Sequence, residues 1–269
     1  MAVITLFSAA GSPGVTVSAL GMALAWQRSL MLVDADPSGA SAIPAGYLQG
    51  QTSHDRGLLD LAVANRMGDL SSAIATVSMT LPGSRVAFVP GVRSHQQAAS
   101  VTTLWEPLGG VLRGMEQRGA NVIVDAGRIG LEHAPQPLVT SADLALLVVR
   151  SDLPAAAGAR SWAQAMKEKF LGFGTEHQLG LLVVGPGRPY GSRELRSVLG
   201  LPVIAELPWD PETASVLHAG TAPRKNFDGS PLNRALRTAV STTQSLIAAN
   251  RQRLGERTQQ PNREDVRHG

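Results

Sequence analysis

A glycine- and proline-containing segment near the start of the chain has the residue types of a phosphate-binding loop. Its sequence is SAAGSPGVTVS over residues 8–18, and it follows the apolar run AVITLF. Gly11 and Gly14 allow sharp turns, Pro13 stiffens the backbone, and the N–H groups at the start of the following helix can hold an anion without any side chain. Thr16 offers a hydroxyl where such a loop would bind Mg²⁺. The segment therefore predicts an anion site, with a plain turn before a helix as the alternative.

Three aspartates follow apolar runs that have the composition of buried strands. Asp34 and Asp36 lie in LVDADPSG (32–39), and Asp125 lies in NVIVDAGR (121–128). Carboxylates at the carboxyl ends of parallel strands lie in the crevice where α/β proteins bind ligands. An apolar strand that ends in aspartate is the pattern of a Mg²⁺-holding Walker B strand, so Asp125 is the predicted metal partner of the loop hydroxyl. The alternative is that these aspartates only cap the turns that follow.

These motifs must be positioned by an alternation of strands and helices. Apolar strand-like runs cover 2–7, 30–34, 85–91, 121–125, 144–149, 179–185 and 202–208, and helix-like stretches cover 14–28, 57–64, 70–77, 95–118, 154–171 and 231–254. Such an alternation predicts a parallel sheet covered on both faces, with right-handed crossovers. We therefore expect an α/β protein with a single doubly wound, mainly parallel sheet in one domain over residues 1–255. The polar residues 256–269 lack apolar anchors and are expected to be a disordered tail.

The loop, the aspartate motifs and a late strand together resemble the ParA/MinD family of P-loop ATPases, whose deviant Walker A loop has the form K-G-G-x-G-K-T-T. In this chain Ala10 occupies the position of the first, signature lysine and Val15 that of the second, Walker lysine, while both outer glycines match. The resemblance implies that Thr16 and Asp125 hold Mg²⁺. It also implies that ATP contacts the loop residues Gly11, Ser12, Pro13, Gly14, Val15, Thr16 and Val17.

Two further segments extend the resemblance. The first aspartate motif is similar to the family's switch I sequence, D-x-D-P-x-G, which implies that Asp34 is the catalytic residue that orients the attacking water and that Asp36 belongs to the nucleotide-responsive loop. The segment LPVIAELPWDPETASVL (201–217) is similar to a late strand and loop near the adenine, which would place Pro208 and Asp210 against ATP. An N-cap role for Asp210 at the next helix is an equally good interpretation.

Both lysine positions of the loop hold uncharged residues. A charge-assisted hydrogen bond is worth roughly 1.5–3 kcal/mol, so the loss of one would weaken ATP binding by about 10- to 100-fold. We therefore expect weak ATP hydrolysis at most, with ATP and Mg²⁺ as the cofactors. Arg128 and Arg150, at predicted strand ends, are candidates for a compensating charge, or they are solvated surface arginines. In relatives the signature lysine reaches across a nucleotide-bound homodimer. Its absence here argues against the same dimer geometry in this chain.

Three functions are compatible with these features. The resemblance implies a nucleotide-regulated positioning or assembly protein that acts on chromosomes, division proteins or pilus and secretion machinery, and the degenerate loop is most similar to the Tad-type pilus subset (TadZ/CpaE-like). The second is a pseudo-ATPase scaffold that acts only through protein contacts. The third is a nonspecific DNA-binding partition protein, because residues 224–257 carry seven basic and two acidic side chains, for which a solvated helix face is the alternative.

Composition excludes several other classes. The chain has 269 residues, a net charge of +3 and no cysteine, so it contains no disulfide and no thiolate metal site. The N-terminus resembles a first strand rather than a signal peptide, and no apolar run reaches the ~18 residues that a membrane helix needs. Residues 243–257 have too few large apolar side chains for a membrane-surface helix, so we expect a cytoplasmic protein without membrane insertion. Trp105, Trp162 and Trp209 are interpreted as packing residues.

Overall fold

The computed structural model of the protein describes residues 2–10, 13–39, 42–52, 55–115 and 119–259, with side chains up to residue 253 of the last helix. The strands are β1 (Val3–Ser8), β2 (Leu30–Asp34), β3 (Met79–Thr80), β4 (Val86–Val89), β5 (Asn121–Arg128), β6 (Leu144–Arg150), β7 (Leu179–Val184) and β8 (Val203–Leu207). The helices are α1 (Val15–Ala25), α2 (Leu58–Arg66), α3 (Leu70–Val77), α4 (Ala98–Val101), α5 (Trp105–Gly114), α6 (Gln136–Thr140), α7 (Leu153–Gly172), α8 (Ser192–Leu199), α9 (Pro211–Ala219) and α10 (Pro231–Gln259). Short π- and 3₁₀-helical turns cover Ile43–Tyr47, His95–Gln97, Thr102–Leu104 and Glu176–Gln178.

The strands form one sheet in the order β3-β4-β2-β5-β1-β6-β7-β8. Strand β3 pairs with β4 in the antiparallel direction, and every other neighbouring pair in this sheet is parallel. The prediction of a single doubly wound, mainly parallel α/β sheet is therefore confirmed. Because β1 lies between β5 and β6, the loop that follows β1 emerges at the middle of the carboxyl edge of the sheet, where such folds bind ligands.

Helices cover both faces of the sheet, as the continuous apolar strand sequences require. Along β1, Ile4 and Leu6 pack in a core layer with α1, α9 and α10, while Val3 and Phe7 point to the other face, where α2, α3, α5, α7 and α8 supply the partners. This alternation follows from the two-residue period of a strand. The central strand is thus fixed on both sides, and the loop that follows it is held in place.

Several element boundaries differ from the predictions. The expected helix over 95–118 is split into α4 and α5 by a 3₁₀-helical turn at Thr102–Leu104. The β-branched run Val101–Thr103 has low helix propensity, and Pro107 has no N–H to donate to the carbonyl of Thr103, so the α-helix begins anew at Trp105.

Other differences lie at element ends. The two-residue edge strand β3 is too short to give an alternating pattern, and β5 extends to Arg128, three residues beyond its predicted end. Helix α10 extends to Gln259, whereas the sequence analysis ends it near Leu254. Residues 260–269 of the predicted tail lie outside the described residues, so disorder of the tail stays a prediction.

Candidate functional site

The loop between β1 and α1 leaves the first turn of α1 open. Gly14 is the N-cap residue and has φ 94°, a left-handed conformation that residues with a side chain rarely adopt, and no side chain among the described residues caps the helix. An uncapped helix start presents backbone N–H groups that have no intrahelical partner, and these groups bind phosphate or other anions. Gly11 and Ser12 of the predicted nucleotide contacts lie outside the described residues.

The predicted acidic residues lie together at the carboxyl ends of β2 and β5. Asp34 and Asp125 face each other in register across the two strands and are 3% and 1% exposed. Asp34 Oδ1 accepts a hydrogen bond of 3.2 Å from the amide of Asp36, and Asp125 Oδ1 accepts one of 3.0 Å from the amide of Gly127. Asp34 and Asp125 therefore do cap the turns that follow them, as the alternative interpretation predicts. Together with Asp36 they also bring three carboxylates close to one another.

This crowding changes the chemistry of Asp125. Burial, followed by repulsion from Asp34 and Asp36, raises the pKa of Asp125 to about 7, although the Thr16 hydroxyl and the Gly127 amide favour the charged form. Its Oδ2 is buried and has no hydrogen-bond donor among the described residues. A buried carboxylate oxygen beside a hydroxyl is a suitable Mg²⁺ ligand, because the cation would supply the missing positive charge.

The described residues contain no group of three or more His, Cys, Asp or Glu side chains that could hold a metal ion. A Mg²⁺ ion at Thr16 and Asp125 would therefore depend on oxygen ligands from outside the protein, such as nucleotide phosphates and water. This is the arrangement expected for Mg²⁺, which usually keeps several waters and binds one or two carboxylates together with substrate phosphates.

Two glycines that sequence reasoning missed make room for the carboxylates. A Cβ atom on Gly127 would lie 2.3 Å from Cγ of Asp36, and Gly127 also has φ +60°. A Cβ atom on Gly91 would lie 2.9 Å from Cγ of Asp34. The only sequence signal for Gly127 is its place two residues after Asp125, and Gly91 offers none beyond the end of a strand.

A cavity of ≈ 710 Å³ joins the loop to the end of β8. Of the predicted site residues, its wall includes Pro13, Gly14, Val15, Thr16, Val17, Asp36, Pro208 and Asp210. Asp34 and Asp125 are not part of this wall. Asp125 instead interacts with Thr16 and Gly127, and these two residues do line the cavity. The structure therefore brings the described site residues into one place, with the metal-side carboxylates behind the wall.

The two positions that hold lysine in ParA/MinD loops are packed. Val15 is 6% exposed and belongs to the core layer of α1, α9 and α10, although it also borders the cavity. The Ala10 methyl group lies against α7, because a Cβ atom on Gly158 would come within 2.7 Å of it. The apolar residue at position 15 thus contributes to folding in this protein.

Arg150 and Trp209 form a pair in the cavity wall. The Arg150 guanidinium lies 4.8 Å from the centre of the Trp209 ring, and its Nε is buried without a hydrogen-bond acceptor among the described residues. Interpreting Arg150 as a solvated surface arginine is therefore wrong, and Trp209, which is 40% exposed, borders the cavity. Arg128 is exposed at the rim of the same cavity. Trp105, by contrast, is a core residue as predicted.

Asp210 is the N-cap residue of α9. Its carboxylate accepts hydrogen bonds from the amide of Thr213 at 3.1 Å and from the hydroxyl of Thr213 at 2.7 Å. Burial alone would raise the pKa of Asp210, but these hydrogen bonds, with help from Arg224, hold it below its usual value. The N-cap interpretation is confirmed, and the contact of Asp210 with ATP stays a prediction.

The basic segment 224–257 is partly neutralised by neighbouring acids. Arg224 pairs with Glu212 at 2.5 Å, and Arg251 pairs with Asp143 at 3.0 Å. These pairs support the interpretation of the segment as a solvated helix face. In the part of the chain that the structure describes, no helix combines the length and the hydrophobicity needed to span a bilayer.

Comparison with known proteins yields matches at the level of structure. No protein-family model matches the sequence, and no curated protein matches it. The chain is similar to the septum site-determining protein MinD complexed with Mg-ADP from Pyrococcus horikoshii OT3, with TM-score 0.67 and 17% identity over 88% of this chain and 93% of that one.

Two other solved structures show the same likeness. The MinC:MinD cell division protein complex of Aquifex aeolicus aligns with TM-score 0.68 and 17% identity over 91% of this chain and 96% of that one. A ParA family ATPase from Chlorobium tepidum TLS aligns with TM-score 0.65 and 15% identity over 89% and 97%. At these identities the likeness concerns the fold. The chain therefore has the fold of the ParA/MinD P-loop ATPases.

Proposed function

We propose that this chain is a ParA/MinD-like, nucleotide-regulated positioning or assembly protein that binds MgATP in the cavity beside the loop after β1. The observation that supports this most is the crowding of Asp34, Asp36 and Asp125 next to Thr16. Buried carboxylates that repel each other are costly in the absence of a cation. A bound Mg²⁺ would remove that cost.

Each part of the site has its own role in binding and hydrolysing MgATP. The open N–H groups at the start of α1 hold the phosphates, Thr16 and Asp125 hold Mg²⁺, and Asp34 orients the attacking water. When bound, Mg²⁺ supplies positive charge that polarises phosphoryl oxygens. Pro208 and Asp210 border the base. Because both loop lysines are missing, binding is weak and hydrolysis slow, with Arg128 and Arg150 as the arginines of the cavity wall.

The larger assembly is part of the same proposal. One of the similar structures is a MinC:MinD complex from Aquifex aeolicus, which supports a protein partner for this chain. A homodimer is proposed on the resemblance to ParA/MinD ATPases. The cargo would belong to a chromosome-partitioning, pilus or secretion system, with TadZ/CpaE-like pilus proteins as the nearest subset in loop sequence. Nonspecific DNA binding by residues 224–257 is the least favoured variant, because the ion pairs of Arg224 and Arg251 reduce the free positive charge.

A nucleotide-independent pseudo-ATPase scaffold is the second candidate. The packing of Val15 in the core and of Ala10 against α7 favours it, because both loop positions then serve structure alone. A scaffold would keep its protein contacts whether or not nucleotide is present.

Calorimetry with MgATP separates the two candidates. We expect a dissociation constant in the micromolar to low-millimolar range, a loss of binding in Thr16→Val, and unchanged binding in the control Asp228→Asn, which removes an exposed carboxylate. Asp34→Ala should keep binding while losing residual hydrolysis. Elution volume with and without nucleotide reports the dimer. The absence of binding at millimolar MgATP, with unchanged elution, would establish the scaffold instead.

A further inference from the structure

A second cavity lies at the opposite end of the sheet from the first. It has a volume of ≈ 580 Å³ and is enclosed by Ala2 and Asn121 at the amino ends of the central strands, by the end of α1, and by one face of α10. A volume in this range is typical of a small-molecule site. Nothing in the proposed nucleotide function uses this end of the molecule.

The charge of this second cavity is entirely positive among its described lining residues. Arg28, Arg237 and Arg251 line it, and none of its described lining residues is Asp or Glu. Arg251 also pairs with Asp143, and Arg237 donates a 2.8 Å hydrogen bond to the carbonyl of Asp228. Arg28 is exposed and has no hydrogen bond or ion pair with the described residues. Walls of one charge sign focus the electrostatic field and concentrate ions of the other sign.

The indole of Trp26 lies in the wall of the same cavity. Trp26 is 6% exposed, and its Nε1–H is buried without an acceptor among the described residues. Because this N–H has no accessible surface, the indole borders the cavity without donating into it. The arginines therefore favour a negatively charged ligand, and the Trp26 ring is placed to report its binding.

The size of the cavity and its arginines set the number of phosphate groups. Arg251 is already paired with Asp143, so Arg28 and Arg237 carry the positive charge that a ligand would meet. These two arginines come from different elements, because Arg28 follows α1 and Arg237 lies on α10. A volume of ≈ 580 Å³ is far larger than one phosphate group. We propose that this cavity binds a small molecule that carries several phosphate groups, of the polyphosphate class.

The proposal is tested by fluorine NMR of the full chain labelled with 5-fluorotryptophan. Trp26 borders this cavity and Trp209 borders the nucleotide cavity, so their two signals, assigned from Trp26→Phe and Trp209→Phe, report the two sites in one spectrum. Titration with sodium tripolyphosphate should shift the Trp26 signal, and affinity should increase from phosphate to pyrophosphate to tripolyphosphate. Arg28→Gln and Arg237→Gln should each weaken binding about tenfold or more, as expected for the loss of a charge-assisted hydrogen bond.

Arg193→Gln is the matched control, because it removes another exposed arginine, from α8. It should leave the Trp26 titration unchanged. A Trp26 signal that does not move at 10 mM tripolyphosphate, that moves equally in Arg28→Gln and wild type, or that moves only with duplex DNA would overturn the proposal. A shift of Trp209 alone would overturn it too, while leaving the nucleotide proposal intact. A shift of Trp26 with tripolyphosphate, without any response of Trp209 to MgATP, would support the second cavity as a binding site and contradict the nucleotide proposal.

Discussion

The two cavities at opposite ends of the sheet carry charge in contrasting ways. The cavity at the carboxyl edge has carboxylates buried behind its wall, at Asp34 and Asp125, which are 3% and 1% exposed. The cavity at the amino edge has arginines on its surface, and Arg28 is exposed to solvent. The carboxylates at the carboxyl edge need a cation to relieve their mutual repulsion, whereas the arginine charge at the amino edge is already solvated by water.

This difference has energetic consequences. A buried charge is linked to folding, because its protonation differs between the folded and unfolded chains. An exposed arginine stays protonated in both states and contributes little to stability. Changes at the carboxyl edge should therefore alter the free energy of unfolding strongly, and changes at the amino edge should alter ligand affinity with little effect on folding.

The largest expected effect is that of Asp125→Asn. Because the pKa of Asp125 rises from 3.8 when exposed to about 7 when folded, the stability present below pH 4 is lost as the pH rises to about 7. Removing the charge should stabilise the nucleotide-free protein by about 4 kcal/mol at pH 8, taking 1.36 kcal/mol per pKa unit, and by very little at pH 4. Urea denaturation of wild type and variant across this range measures the difference. A difference in unfolding free energy between the two proteins that does not change with pH would contradict the raised pKa of Asp125.

Gly127→Ala should give the next largest effect. The new methyl group would lie 2.3 Å from Cγ of Asp36, and the residue would have to hold φ +60°. The left-handed conformation alone costs roughly 1–2 kcal/mol, and displacement of Asp36 should bring the loss of unfolding free energy to about 3 kcal/mol, within the range of severe single substitutions.

Gly68→Ala is the matched control, because Gly68 has φ +78° and no atom within 4 Å of the added Cβ. It should show the conformational cost alone. Equal losses in the two variants would mean that Asp36 moves freely, and the close fit between Gly127 and Asp36 would then have no energetic role.

Val15→Lys should have opposite effects on folding and binding. Loss of the buried valine should cost about 2 kcal/mol of stability, since Val15 is 6% exposed in the core layer. The new ammonium group borders the nucleotide cavity and should strengthen MgATP binding by about 10- to 100-fold. Calorimetry and thermal unfolding measure the two effects. Val15→Met, which adds length without charge, should leave affinity unchanged, and a lysine variant with no gain would show that the loop differs from a P-loop in shape as well as in charge.

The sequence predicts those parts of the molecule that depend on local pattern. The apolar runs that end in Asp34 and Asp125 predict strands and a common edge, because a buried parallel strand has a recognisable composition. The break in the helix after Val101 could also be anticipated from Pro107 and the threonines before it. Each of these features is determined by residues only a few positions away in the sequence.

Features made by residues far apart in the chain are harder to predict. Arg150 and Trp209 meet because β6 and β8 are separated only by β7 in the sheet, and neither local sequence indicates that their side chains stack. Trp26 and Arg237 share a cavity only because α10 packs on α1. In each case the strand order or the helix packing, which local periodicity does not encode, decides the contact.

The smallest expected effect lies at the amino edge, in Arg251→Gln. This substitution breaks the 3.0 Å pair with Asp143, whose side chain is 26% exposed while that of Arg251 is 33% exposed. A partly exposed ion pair is worth about 0.5–1 kcal/mol and is screened by salt, so the loss of stability should be of that size at low ionic strength and smaller in 1 M NaCl. Arg253→Gln, two residues further along α10 and exposed, should change nothing measurable. A loss of several kcal/mol in Arg251→Gln would show that this arginine is as tightly linked to folding as Asp125, and the contrast between the two cavities would fail.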